Sequence, residues 1–277
     1  MRIAQFYEGS RVRLGVIQAD ALIPVDFDGD MIQFIESHRE SRGALKLQNS
    51  QTIDLDRVTL AAPVTRASKI IGIGLNYKDH AEEQKAKVPD VPVIFAKFPN
   101  TLIGPKEAIA WDPKVTGKVD FEAELAVVIG SRIQNCPESE ALEAVFGYTC
   151  ANDVSARDLQ FRDIQLLRGK SLDTFCPLGP WIVTGDEIPN PNALKIQSWL
   201  NGRLMQDGNT SLMIFSIPFL VSFLSRHFTL LPGDVILTGT PRGVGVFRDP
   251  PVFMKEGDEV TVEIERVGRL VNTCRNR

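Results

Sequence analysis

Val119–Gly130 reads VDFEAELAVVIG, an acidic opening followed by a β-branched apolar run. In a strand the side-chain period is two, which puts Glu122, Glu124, Ala126 and Val128 on one face. Phe121, Ala123, Leu125, Val127 and Ile129 then form an apolar stripe on the other. Two carboxylates side by side in such a strand repel each other and resist burial unless positive charge lies between them. A frayed, solvated strand start would satisfy that condition, and so would a divalent cation. This stretch alone leaves both open.

Upstream, Lys69–Leu75 (KIIGIGL) predicts a first strand of the main domain, and Val93–Phe98 another. Gly72-x-Gly74 resembles the start of a dinucleotide fingerprint, but Tyr77 stands at the third glycine position and no βαβ pattern follows. Between the two strands lies a charged, proline-punctuated stretch from Lys78 to Pro92, expected to be a lid with a short helix at its base. On that helix His80 and Glu83 are i,i+3 neighbours. A solvated helix surface is the competing reading. Ile3–Tyr7, Val12–Ile17 and Ala21–Val25 predict an antiparallel meander, followed by a short helix from Met31 that fades into the polar segment Ser37–Gly43, where His38 reads as a surface residue. Ile53–Leu60 reads as one more strand. The division expected is a small N-terminal α/β domain, 1–65, and a catalytic domain, 66–277.

Downstream, Phe146–Asn152 predicts a strand delivering Asp153 at its C-terminal end, with Ser155 capping the helix that follows. Cys176–Pro180 reads as a rigid turn before a strand from Trp181. Leu194–Leu200, Asn201-Gly202 and Arg203–Gln206 form a hairpin signal. A helix starts after Ser216 with Pro218 in its first turn and His227 at its dipole-favoured end. Thr238–Gly245 is glycine-rich but lacks the Gly-Lys-Ser/Thr ending of a phosphate-cradling loop.

The chain has 277 residues, 43% hydrophobic and 24% charged, with a net charge of -4. That mild charge supplies no reason to expect nucleic acid or an anionic membrane as partner. Four cysteines without CxxC spacing suggest neither a zinc knuckle nor a disulfide framework. No signal-peptide pattern and no membrane-length apolar run are seen, so the expected location is cytoplasmic.

Five stretches, in order, resemble the fumarylacetoacetate hydrolase superfamily. They are Gly74-Leu75-Asn76-Tyr77-x-x-His80-x-x-Glu83, Asp120–Leu125, Asn152–Gln160, Gly169-Lys170-Ser171 and Leu237–Gly245. The likeness is to its short "domain-containing" branch of acylpyruvate hydrolases, oxaloacetate decarboxylases and tautomerases. It implies a mainly β fold with a few helices (α+β), built on a mixed β-roll, and a homodimer. It also implies one Mg²⁺ or Mn²⁺ per subunit, held by Glu122, Glu124 and Asp153. Three carboxylates suit a hard octahedral cation. By the same resemblance His80 and Glu83 form a catalytic dyad, and Lys170 supplies positive charge for a developing oxyanion or enolate. Lys170 could equally pair with a ligand carboxylate. Gln160 and Thr240 would bind the substrate carboxylate. Arg157 and Asp158 are expected to pair with each other outside the site.

The function implied is metal-dependent chemistry on small 2-oxo or 2,4-diketo acids. Hydrolysis of an acylpyruvate C–C bond by His80-activated water comes first, with an enolate as leaving group. Oxaloacetate decarboxylation and keto–enol tautomerisation are alternatives in the same site. A non-catalytic, metal-dependent 2-oxo acid binding protein is the reading from a different class, and it has no need of the dyad.

Overall fold

The computed structural model describes residues 1–41, 46–48 and 51–277; the expectation placed on the His38 side chain, and residues 42–45 and 49–50, fall outside the described residues. A twelve-stranded mixed sheet dominates, and the strand Ala123–Ile129 lies well inside it. It pairs antiparallel with Val145–Asn152 on one side and Val235–Leu237 on the other. Ile70–Gly74 adds in parallel to Val235–Leu237, and Val93–Lys97 closes that end of the sheet. In the other direction the sheet passes through Cys176–Thr184 to Arg2–Glu8 and the N-terminal meander. The expected boundary near residue 65 falls in the coil after Leu60–Ala61, and pairing between Arg2–Glu8 and Cys176–Thr184 crosses it. A five-stranded sheet, containing the Asn201-Gly202 hairpin, supplies the second layer. Asn201 and Gly202 both have positive φ, +51° and +76°, as a two-residue primed turn requires.

The period-two reading of the central strand holds on both faces. Leu125, Val127 and Ile129 enter a core with Ile196, Val262 and Ile264 of the second sheet and Leu220, Val221 and Leu224 of the helix Ile217–His227. Ala126 and Val128 enter another, with Met31, Phe34 and Ile35 of the helix Met31–Ser41. Each fully buried side chain of this size contributes about 1.5–3 kcal/mol, so the strand is held from both sides. Ile217–His227 begins as expected, Ser216 Oγ accepting from the Phe219 N–H, and ends with His227 Nδ1 donating to the Phe223 carbonyl.

Four local expectations are corrected. The acidic opening is not continuous with the strand, because the chain breaks at Phe121-Glu122. There Asn152 Oδ1 takes the Glu122 N–H and Glu122 O takes the Asp153 N–H, while Val119–Asp120 pairs separately with Ser155–Ala156. Ser155 is therefore a strand residue rather than a cap, its hydroxyl donating to the Asp153 carbonyl, and the helix starts at Arg157. Cys176–Pro180 is part of the strand Cys176–Thr184, since the sheet on both sides accommodates it. Ile53–Leu60 divides into Ile53–Asp54, a 3-10 turn Leu55–Arg57, and Leu60–Ala61.

Candidate active site

Three carboxylates converge where the central strand begins. Glu124 is on the strand, Glu122 is in the break before it, and Asp153 follows the neighbouring strand. Ala123 stands opposite Asn152 in the ladder, so the register itself brings Asp153 to the two glutamates. One oxygen from each lies within 4.8 Å of the others, and all three residues are buried.

Such a cluster persists in a dry interior only with charge compensation. Lys170 Nζ donates to Glu122 Oε2 at 2.5 Å and to Asp153 Oδ2 at 2.6 Å. Lys97 Nζ donates to Asp153 Oδ1 at 2.5 Å. Arg157 Nη2 lies 2.7 Å from Glu122 Oε1, and its Nε donates to Asp120 Oδ2 at 2.8 Å. Four buried acids, Asp120 included, thus face three buried cations. Glu124 is the acid left without a cation of its own, and its Oε2 accepts the Gly239 N–H at 2.7 Å. Among the described residues no donor reaches its Oε1. Burial, then the charges of Asp153 and Glu122, hold the Glu124 carboxyl well above the usual range. Burial would raise Glu122 too, but Lys170 and Arg157 overcome it and hold that carboxyl well below. All-oxygen donors with an excess charge fit a hard divalent cation such as Mg²⁺ or Mn²⁺, which Glu122, Glu124 and Asp153 would hold.

The second half of the site is the short helix Lys78–Glu83. His80 is buried there, against the solvated-surface reading. Its Nδ1 donates to Glu83 Oε2 at 3.0 Å, and its Nε2 accepts from the Gln84 amide at 2.6 Å. That arrangement describes a neutral imidazole with its basic lone pair on Nε2. Glu83 is held in turn by the Gly243 N–H, at 2.9 Å.

Both halves open on one cavity of about 250 Å³. His80, Gln84, Glu122, Glu124, Arg157, Gln160, Lys170 and Thr240 line it, with apolar walls from Ile73, Val93, Phe95, Phe161, Leu166 and Phe247. Asp153 and Glu83 stand behind the lining. Gln160 Oε1 accepts from Arg157 Nη1 at 2.9 Å, which leaves its NH₂ for a ligand. The Thr240 hydroxyl is engaged inside the protein, donating to the Ala123 carbonyl and accepting from Gln206 Nε2.

The expected Arg157–Asp158 pair does not form. Asp158 accepts from Thr116 Oγ1, and Arg157 turns into the cavity instead. Lys97 is the other residue that sequence reading passed over. Strand period placed it with Val93 and Phe95, and a lone lysine on an otherwise apolar strand was the available signal.

Residues 69–275 match the family described as fumarylacetoacetate (FAA) hydrolase, C-terminal. A human protein named as a mitochondrial oxaloacetate tautomerase is 46% identical over 264 residues, covering 93% of this chain and 83% of its own. A fumarylacetoacetate hydrolase from Exiguobacterium antarcticum superposes with a TM-score of 0.91 at 37% identity over the whole of both chains. A maleylpyruvate hydrolase from a Sphingobium species does so with a TM-score of 0.82 at 32% identity, again over both whole chains.

Proposed function

This chain belongs to the fumarylacetoacetate hydrolase family, and from that premise we propose that it is a divalent-metal-dependent enzyme interconverting the keto and enol forms of a small 2-oxo dicarboxylate, oxaloacetate above all. The observation that carries this reading is His80. It is a neutral imidazole oriented by Glu83, sharing a cavity of about 250 Å³ with Lys170 and the carboxylates of Glu122 and Glu124. A cavity that small fits a short acid, and the relative at 46% identity bears the oxaloacetate tautomerase name.

His80 Nε2, once Gln84 yields to substrate, takes a proton from C3 and returns it to the 2-oxo oxygen. Glu83 stabilises the imidazolium formed between those steps. Lys170 places fixed positive charge near the developing enolate, and the Gln160 amide is free to donate to a carboxylate. Phe95, Phe247 and Leu166 keep bulk water from the reacting carbon. When bound, the metal supplies Lewis acidity toward the oxygens of a 2-oxo acid. With three internal cations against four acids, a divalent ion would bring the carboxylate cluster, Glu83 left aside, to a net charge of about +1, suited to an anionic substrate.

Acylpyruvate hydrolysis, placed first from the sequence, is the second reading. The likeness to the maleylpyruvate hydrolase favours it, because a base that takes a proton from carbon can take one from water. The deciding experiment follows enol loss from oxaloacetate at saturating Mg²⁺, alongside CO₂ release and acylpyruvate cleavage. Metal-dependent acceleration of enol loss above the other two is expected. Cleavage without tautomerisation would install the hydrolase reading, and ligand binding without turnover of any substrate would install the binding-protein reading.

A further inference from the structure

Asp120 enters the reading above only as one charge among four; it neither lines the cavity nor joins the three converging carboxylates. It lies two residues before Glu122 and is completely buried. Four donors converge on it. Oδ1 accepts from the N–H groups of Phe121 at 2.9 Å and Gly245 at 2.8 Å, and Oδ2 from Arg157 Nε at 2.8 Å and the Val246 N–H at 3.0 Å. A carboxylate offers about four acceptor positions, so Asp120 is saturated.

Its donors lead to the two halves of the site separately. Arg157 continues to Glu122, 2.7 Å away. The amides of Gly245 and Val246 belong to the loop whose Gly243 N–H holds Glu83 and whose Phe247 ring stands edge-on to His80 at 5.9 Å. The loop is pressed hard onto Asp120. A Cβ built on Gly245 would lie 2.5 Å from Asp120 Oδ1 and 1.9 Å from the Val252 carbonyl oxygen.

We propose that Asp120 is a positioning residue that sets the metal-binding and base halves of the site relative to each other. Through Arg157 it aims Glu122; through two loop amides it seats the turn that orients Glu83 and covers His80. Only an ionised carboxylate serves all four donors. An asparagine would turn its NH₂ toward two of them and leave buried donors unpaired. The inference rests on reading the carboxylates as metal ligands and His80 as the base, so its test reads each half without turnover.

The experiment titrates Mn²⁺ by electron paramagnetic resonance and measures carbethoxylation of His80 by mass spectrometry, in the full chain. Asp120→Asn is expected to weaken Mn²⁺ binding about tenfold and to speed His80 modification several-fold. Gly245→Ala drives the loop off Asp120, because the Val252 carbonyl leaves its Cβ no room, while Arg157 still holds Asp120 Oδ2; His80 should then react faster with Mn²⁺ affinity near the wild-type value. Arg157→Lys cannot bridge both acids, so it weakens Mn²⁺ binding and leaves the His80 rate unchanged. Adding Asp120→Asn to Arg157→Lys should then weaken Mn²⁺ binding no further. A lower melting temperature in Asp120→Asn with neither readout altered overturns the proposal. Should that variant not fold, Gly245→Ala and Arg157→Lys decide, and the proposal fails if either moves both readouts or neither. Absence of Mn²⁺ binding by the wild type would overturn the ligand reading itself, and His80 reactivity would then judge the loop half.

Discussion

Arg157 sits 2.7 Å from Glu122 rather than beside its sequence neighbour Asp158, so a positive charge is built into the wall of the candidate metal site. Its guanidinium also serves Asp120 and Gln160, and the residue is almost wholly buried. Arg157→Met leaves Glu122 and Asp120 without that charge. It should lower stability by about 3–5 kcal/mol, the cost of removing one partner from a buried ion pair. Arg157→Lys, which keeps the charge but reaches only one of the two acids, should recover part of the loss. Urea unfolding of the three proteins checks this.

Metal removal should lower the melting temperature, and Mg²⁺ or Mn²⁺ should restore it. The gain is about 2.7 kcal/mol when the free ion is at about 100 times its dissociation constant. Glu124 has no internal cation, and burial with the charges of Asp153 and Glu122 disfavours its ionised form, so Glu124→Gln should stabilise the metal-free protein while abolishing the response to metal. Asp153→Asn should destabilise instead, because it deprives both Lys97 and Lys170 of a partner. Thermal scans with and without chelator separate the two outcomes. Equal behaviour of both variants would contradict the charge assignment.

His80→Gln keeps a polar side chain and removes the base. At full metal occupancy it should slow oxaloacetate tautomerisation by about 10² to 10⁴, the usual contribution of a general base. Any decarboxylation, which needs chiefly the electron sink, should fall far less. Parallel assays of enol loss and CO₂ release make the comparison. Equal losses in both would place His80 at a step the two reactions share.

Burial pushes the Cys176 and Cys274 thiols up to about 12, and drives Cys150 higher still. A thiol with a pKa near 12 holds about one part in 10⁴ of thiolate at pH 8, too little to react at an ordinary rate. Native protein treated with iodoacetamide at that pH should therefore be labelled on the partly exposed Cys136, with the other three labelled after denaturation. Peptide mass spectrometry reads the result directly.

Much of this arrangement was legible before any coordinates. The β-branched run after Glu124 predicted a strand with an apolar stripe on one face, and the structure buries both faces. The one-residue spacing of Glu122 and Glu124 put both on one face but left a solvated start and a cation open, the resemblance adding Asp153; the Lys78–Glu83 helix brings His80 and Glu83 together as their spacing implied. What escaped was the choice of partners. Adjacent residues on a helix project about 100° apart, so Arg157 and Asp158 were poorly placed to pair from the outset. Sequence offers no measure of which buried acid an arginine will find 35 residues upstream. Asp120 escaped for the same reason, since its four donors come from segments as distant as Gly245. The break at Phe121-Glu122 depends on an asparagine side chain replacing a ladder bond, which no periodicity records.

The central strand also has a consequence for how the enzyme moves. Backbone amides from Leu125 to Ile129 lie between paired strands and beneath two cores, so they exchange with solvent through opening of the whole molecule. The stretch from Lys85 to Val91 that follows the Lys78–Glu83 helix is largely exposed and lies in no paired strand, the kind of segment that exchanges through local opening. The strand that carries Glu124 and the loop that follows the His80 helix therefore keep different clocks, one tied to global unfolding and the other to a brief local fluctuation. Residues between Lys85 and Pro92 line no part of the cavity, and can consequently be exchanged without loosening the carboxylates that would hold the ion.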